Sequence, residues 1–458
     1  MSLSSTTSSS SSASSPSPTP AAPSPDPARL PVDERRWPDV ARTPRASRIR
    51  TAVAERIVRR ALARLPLRVR LGGTETLGLG GPLVEVRDPA AFFRRIGADG
   101  LIGFGESYMA GEWEAPDLVG ALTVLAERAA YLIPAPLQRL RSVWASKQPD
   151  AQRNTPEGSR DNISRHYDLS NDLFALFLDE TLSYSSGLFR SFPADRSLLA
   201  AAQRRKIDRL LDRAGVGLGT QLLEIGTGWG ELAIRAAGRG ARVITVTLSE
   251  EQRDLAQERI RAAGYEENVT VLLRDYRRVM GTFDAVVSVE MIEAVGAEFW
   301  PEYFRTLDRL LAPGGRVALQ AITMPHDRML ATRDTFTWIQ KYIFPGGFLP
   351  SVEAIEAITT EHTALRVTDR DGFGPHYEQT LRLWRERFTE RAGDVEALGF
   401  DETFRRMWTF YLAYSEAGFR SGYLDVQQMV LTKPGVPTKP GVPTGPGVPT
   451  GPWEGDTR

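Results

Sequence analysis

The run "LLEIGTGWGE", Leu222 to Glu231, sets Gly226, Gly228 and Gly230 at alternate positions, directly after an apolar β-type stretch and before a helical one. Only glycine lets the backbone turn that sharply while a ligand lies against it. The spacing is G-x-G-x-G, not the G-x-G-x-x-G that seats a pyrophosphate on a helix N-terminus, and no G-K-[ST] follows. A nucleotide phosphate is therefore not the obvious guest. Glu224 adds a carboxylate at the end of the β-type stretch. Further on, "VTLSEEQ" places Thr247 and Leu248 at the end of a second such stretch, with Gln252 one turn into the following helix. Ser249 and Gln252 also spell a capping box, and both readings stand. After a third stretch, "LLRDYRR" offers Asp275, whose carboxylate can accept from an adenine amino group, with Tyr276 beside it. A lone aspartate there is otherwise a turn or cap residue. An amide, Gln320, sits inside the apolar run of "GGRVALQAITMP".

Such residues need a scaffold that gathers them. The runs "TQLLEIG", "ARVITVTL", "NVTVLL", "FDAVVSV" and "RVALQAI" are β-rich and are separated by amphipathic helical segments, which predicts an α/β fold with a parallel sheet covered by helices. In such sheets ligands sit beyond the carboxyl ends of the strands. The chain of 458 residues is 41% hydrophobic, enough for more than one core. A net charge of +0 leaves no general electrostatic claim on nucleic acid. With Cys 0, disulfides, thiolate metal sites and cysteine nucleophiles are excluded together, and no metal site is expected. This fits an intracellular enzyme. No run of about eighteen apolar residues spans a bilayer.

Four segments are expected: a disordered Ser/Pro-rich tail over 1–45, an amino-terminal α+β accessory unit over 46–148, the main α/β unit over 149–432, and a Pro/Gly repeat tail over 433–458. The boundary near 148 falls in polar "SKQPDAQRNTPEGSRDN". Within the accessory unit, "SRIRTAVAERIVRRALARLPLRVRL" sets Val53, Ile57, Ala61 and Leu65 at helical spacing among Arg56, Arg59, Arg60 and Arg64. A basic amphipathic helix of this kind suits an anionic membrane surface, or packs on its own domain.

Glu224 followed by E-x-G-x-G-x-G is the pattern of S-adenosylmethionine-dependent methyltransferases. Together with "HYDLSNDLFALFLDETLSYSSGLF", "VEMIEAVG", "KYIFPGGFLPS", "DGFGPHYEQTL" and "FYLAYSEAGFR", it makes the chain resemble the cyclopropane-fatty-acyl-phospholipid synthases and related mycolic and fatty acid methyltransferases. "GFGESYMAGEWE" resembles the amino-terminal domain of the longer bacterial synthases. The resemblance implies a seven-stranded, Rossmann-like class I methyltransferase fold acting on the double bond of an unsaturated acyl chain in a membrane phospholipid. It carries S-adenosylmethionine binding onto Tyr184, Ser185, Gly226, Gly228, Thr247, Gln252, Asp275 and Tyr276, with Glu224, Gly230 and Leu248 in the same turns. An alkene is a weak nucleophile, so the sulfonium methyl must be held against it and water kept out while a carbocation forms. The aromatic segment with Phe336, Trp338, Tyr342, Phe344 and Phe348 can stabilise a cation and cradle an acyl chain, or simply pack.

The resemblance further implies a bound bicarbonate as the base that removes the final proton, held by Glu293, Tyr377 and the backbone amide of Ile322. Two positions depart from the family: Gln320 stands where those enzymes carry histidine, and Ser186 where they carry cysteine. A second family cysteine falls on Ser415. Serine still offers its backbone amide at 186, and a glutamine amide donates to an anion but cannot carry a proton away as imidazole can. This combination, with "LQAITMPHDRM", resembles the actinobacterial branch that makes 10-methylene fatty acids, in which a hydride shift precedes proton loss and a separate reductase saturates the methylene. The alternative is a true cyclopropane synthase. The expected location is cytoplasmic and peripheral on the inner face of the cell membrane, and a homodimer is allowed.

Overall fold

The computed structural model describes residues 31–128, 149, 154–155, 158 and 170–434. The segment expected to mark the boundary near 148, the part of the "HYDLSND" motif before Ser170, and the tails over 1–30 and 435–458 lie outside the described residues.

The first described unit holds helices α1 (Arg48–Leu62), α2 (Pro89–Asp99), α3 (Leu101–Met109) and α4 (Leu118–Glu127) around a small sheet. Its strands are β1 (Arg68–Leu71), β2 (Glu75–Leu77), β3 (Leu83–Val86) and β4 (Trp113–Glu114), in the order β2-β1-β3-β4. Alternate residues of β1 are buried, as expected of a strand with one wet face.

After a short helix over Asn171–Phe177, the second unit continues with α5 (Leu199–Ala214) and then alternates β5 (Gln221–Ile225), α6 (Glu231–Gly238), β6 (Arg242–Thr247), α7 (Glu250–Ala262), β7 (Val269–Leu273) and β8 (Phe283–Val289). It continues with α8 (Trp300–Leu310), β9 (Leu311–Thr323), α9 (Trp338–Tyr342), β10 (Arg366–Gly372), α10 (Gly374–Glu390), α11 (Glu402–Arg420) and β11 (Asp425–Thr432). Seven strands form one sheet in the order β10-β11-β9-β8-β5-β6-β7. β11 runs antiparallel to both β9 and β10, while β9, β8, β5, β6 and β7 are mutually parallel. The parallel strands read as near-continuous apolar runs because helices cover both faces. Strand order reverses at β5, between β8 and β6, and a crevice opens at their carboxyl ends.

The two units share one core. Trp113, Tyr108 and Met109 belong to the same buried cluster as Trp384, Trp408 and Phe410 of α10 and α11. Phe410 lies 5.2 Å from Tyr108 and 6.2 Å from Trp113, ring to ring. Arg406 on α11 donates to the carbonyls of Tyr108 at 2.7 Å and Trp113 at 3.2 Å.

Two expectations are corrected here. Disorder does not persist to Arg45: residues 38–41 form a short helix, Val40 is buried, and Trp37 donates its indole N–H to Asp401 at 2.8 Å. The cause is buried Arg95, whose guanidinium donates to the carbonyls of Asp39 and Val40 at 2.9 and 2.5 Å and so pins a polar segment by its backbone. The expected apolar stripe of the basic helix also divides. Leu65 lies past the end of α1 in the core, Ile57 is half-buried, and Val53 is 47% exposed.

Candidate active site

The carboxyl ends of β5, β6, β7 and β8 enclose a cleft whose wall contains Tyr184, Ser185, Glu224, Gly226, Gly228, Thr247, Leu248, Gln252, Asp275 and Tyr276. Gly226 adopts a φ of 98°, and a Cβ there would stand 2.7 Å from Met291 Cγ. Gly230 lies outside that wall. Its φ of 88° opens α6, and a Cβ there would stand 3.2 Å from Ala256 on α7, so it serves helix packing. Half of the capping box forms: Ser249 caps α7 by accepting from the Gln252 N–H at 3.1 Å. The Gln252 side chain instead accepts from the Thr247 hydroxyl at 2.9 Å, at the cleft wall. Asp275 accepts from Arg277 Nε at 2.9 Å and Nη2 at 2.6 Å, so its carboxylate meets any adenine amino group already paired. The Tyr184 hydroxyl is 2.7 Å from that of Tyr411.

Charge decides what the cleft can hold. Lys206 on α5 is fully buried, donates to Ser185 Oγ at 2.5 Å, and is pushed down to about 8 by desolvation. Glu224 is pushed up to about 8 by burial, and its Oε2 is buried without a partner. Glu290 also lines the cleft, and Glu293 follows it in the next turn. Burial, and then the neighbouring Glu290, push Glu293 up to about 8. At neutral pH the raised Glu224 and Glu293 are largely protonated, so the cleft wall holds in Glu224 a carboxyl group that a bound cation can ionise. S-adenosylmethionine, with a sulfonium and an ammonium, fits the unpartnered Glu224 oxygen.

Glu290 is the residue that the sequence reading missed. Its Oε1 accepts from the Ser186 N–H at 3.0 Å and from Gln320 Nε2 at 2.7 Å, and its Oε2 accepts from the Tyr377 hydroxyl at 2.6 Å. The Ile322 N–H donates to Glu293 Oε1. The structure thus gathers Ser186, Gln320, Tyr377, Glu293 and Ile322, but each donor expected to hold bicarbonate is engaged by a protein carboxylate. Ser415 is half-buried on α11, one turn past Tyr411, and no described hydrogen bond ties it to this cluster.

The aromatic segment mostly packs. Trp338 lies over Gly105, where a Cβ would stand 2.4 Å from its ring, and Tyr342 donates to buried Glu106 at 2.8 Å. Phe348 stacks on Trp300 at 5.7 Å. Phe344 meets Tyr411, the partner of Tyr184, at 5.7 Å.

Sheet order, glycine turn and cleft define a class I S-adenosylmethionine-dependent methyltransferase. The model of the family described as mycolic acid cyclopropane synthetase matches residues 154–429, and the chain belongs to that family. It is 55% identical over 415 residues, 89% of this chain and 97% of the relative, to the tuberculostearic acid methyltransferase UfaA1 of Mycobacterium tuberculosis. It is 34% identical over 354 residues, 76% of this chain and 87% of the relative, to the cyclopropane-fatty-acyl-phospholipid synthase of Escherichia coli. Among solved structures, the mycolic acid cyclopropane synthase CmaA1 complexed with SAH and CTAB matches with a TM-score of 0.55 and 31% identity, over 62% of this chain and 99% of that one.

Proposed function

We propose that the protein methylates the double bond of an oleoyl-type phospholipid chain and releases a 10-methylene-branched chain, with Glu290 accepting the final proton. The observation that carries this reading is the trio of donors on Glu290 at the cleft wall. S-adenosylmethionine supplies an electrophilic methyl. The alkene π pair forms the new C–C bond as the S–CH3 bond breaks, leaving a cation on the neighbouring chain carbon. A hydride moves from the methylated carbon to that neighbour, and the cation becomes tertiary. Loss of a proton from the new methyl group then leaves a methylene (vinylidene) double bond on the chain, and the proton goes to the Glu290 carboxylate.

The two glutamates divide the work. Both are raised by burial, but Glu290 has three donors and Lys206 in its favour, whereas Glu293 faces the charge of Glu290. Of the two, Glu290 is the more readily ionised and Glu293 the more readily protonated. Gln320 cannot take the proton on as imidazole would, which leaves the carboxylate as acceptor. The name of the 55% identical relative, a tuberculostearic acid methyltransferase, supports a branched product. A reductase that saturates a vinylidene group would consume it.

The substrate lies in a bilayer, and no described helix is long and apolar enough to cross one. We place the membrane contact on α1, where Ile49 is 78% exposed and Arg56 and Arg60 point outward on the same face. The experiment is incubation of the purified protein with S-adenosylmethionine and dioleoyl phospholipid, followed by proton NMR of the recovered lipid. Vinylidene signals are expected. Upfield ring signals alone would assign the cyclopropane reaction, in which the same proton is lost as the ring closes.

A further inference from the structure

Gln320 on β9 and Gln428 on β11 face each other as a cross-strand pair, and both are fully buried. An amide has one donating and one accepting end, so its neighbours decide which way it points. Arg209 on α5 can only donate, and its Nε lies 2.6 Å from Gln428 Oε1. At the other end of Gln428, Nε2 lies 3.2 Å from the Lys206 carbonyl, which can only accept. Its orientation is therefore set from both sides. The same Nε2 donates to Gln320 Oε1 at 3.0 Å, and this leaves Gln320 Nε2 as the end that faces Glu290. Arg209 is itself held, by Asp371 at 2.6 Å and by the Phe373 ring, 4.7 Å from its guanidinium carbon.

Resting on the reading of Glu290 as proton acceptor, we infer that Gln428 and Arg209 are positioning residues that lock the Gln320 amide with its N–H toward that carboxylate. Neither lines the cleft. A reversed Gln320 would set carbonyl oxygen against carboxylate and amide nitrogen against amide nitrogen, losing two hydrogen bonds in a buried site. The lock matters because a donor to the ionised form keeps a buried carboxylate charged. The other groups facing Glu290 are Lys206 from α5, Tyr377 from α10 and Glu293 from the turn after β8.

The test is the acid limb of the kcat–pH profile. Gln428→Met, of similar volume, frees Gln320 to rotate, and the limb is expected to move up by about one pH unit, read as about tenfold lower kcat below it. KM for S-adenosylmethionine is expected to stay unchanged. If Gln428→Met does not fold, Gln428→Glu keeps the Arg209 contact, forces Gln320 to turn its N–H away from Glu290, and is expected to move the limb the same way. With Gln320→Met already in place, the change at 428 is expected to add nothing, because the effect passes through that amide. An unmoved limb, or shifts that simply add, would overturn the lock. Full turnover by Glu290→Gln would instead overturn the reading on which it rests.

Discussion

Glu290 holds a φ of 51°, in the left-handed region that a non-glycine residue enters at a cost of about 1 kcal/mol. The strain turns its carboxylate back to the donors of Ser186, Gln320 and Tyr377, and the Glu290 N–H is itself anchored to the Gln320 carbonyl at 2.8 Å. Replacing this carboxylate by an amide removes the proton acceptor. Glu290→Gln is expected to lower kcat by about 10²–10⁴-fold with S-adenosylmethionine affinity nearly intact, as turnover and calorimetry would read. Glu293→Gln mimics the protonated acid and is expected to cost about tenfold or less; equal losses from both would show that the roles are not divided. Glu224 sets a pH dependence. Its pKa in the free protein, pushed up to about 8 by burial, means that it is protonated at neutral pH. A bound cation favours its ionised form and so lowers that pKa, and binding then releases a proton. Affinity for S-adenosylmethionine is therefore expected to rise with pH from about 6 to about 8 and to level off above. Glu224→Gln is expected to flatten that rise, and an unchanged slope in calorimetry across those pH values would count against this assignment.

At the scale of elements, five strands were legible because apolar runs end in glycine or acidic turns. β10 and β11 were not read from the residues. β10, "RVTDRDG", is mostly exposed and reads as a polar loop, while β11, "DVQQMVLT", carries Gln427 and Gln428 inside a buried strand. Gln427 donates to Asp425 on its own strand at 2.5 Å, but Gln428 is satisfied across the sheet and by α5, which no local pattern displays. The glycine turn and Gln320 were visible in the residues and Glu293 through the family resemblance, whereas Glu290 was not. A glutamate after a strand looks like a cap until donors from 30 to 104 residues away converge on it. Close packing between elements gives a further test. Gly105 on α3 carries Trp338 of α9, and a Cβ there would stand 2.4 Å from the indole. Gly105→Ala is expected to cost about 1–3 kcal/mol by overpacking, seen as a lower Tm. An unchanged Tm would mean that α9 does not bear on α3.

At the scale of the molecule, among the described residues, the amino-terminal unit is bound into the catalytic one by a shared core and by Arg406. Residues 38–41 looked disordered because their partner, Arg95, lies some fifty positions on. The same unit presents α1 outward. Arg56→Glu with Arg60→Glu is expected to weaken sedimentation with anionic phospholipid vesicles several-fold without lowering Tm. Undiminished sedimentation would remove α1 from the membrane contact.

The most direct measurement uses dioleoyl phospholipid deuterated at both alkene carbons, with S-adenosylmethionine labelled with carbon-13 in its methyl group, and locates the deuterium in the product by NMR. Methylene formation through a hydride shift is expected to place both deuterium atoms on the one carbon beside a carbon-13 vinylidene. One deuterium on each carbon of a three-membered ring would contradict it.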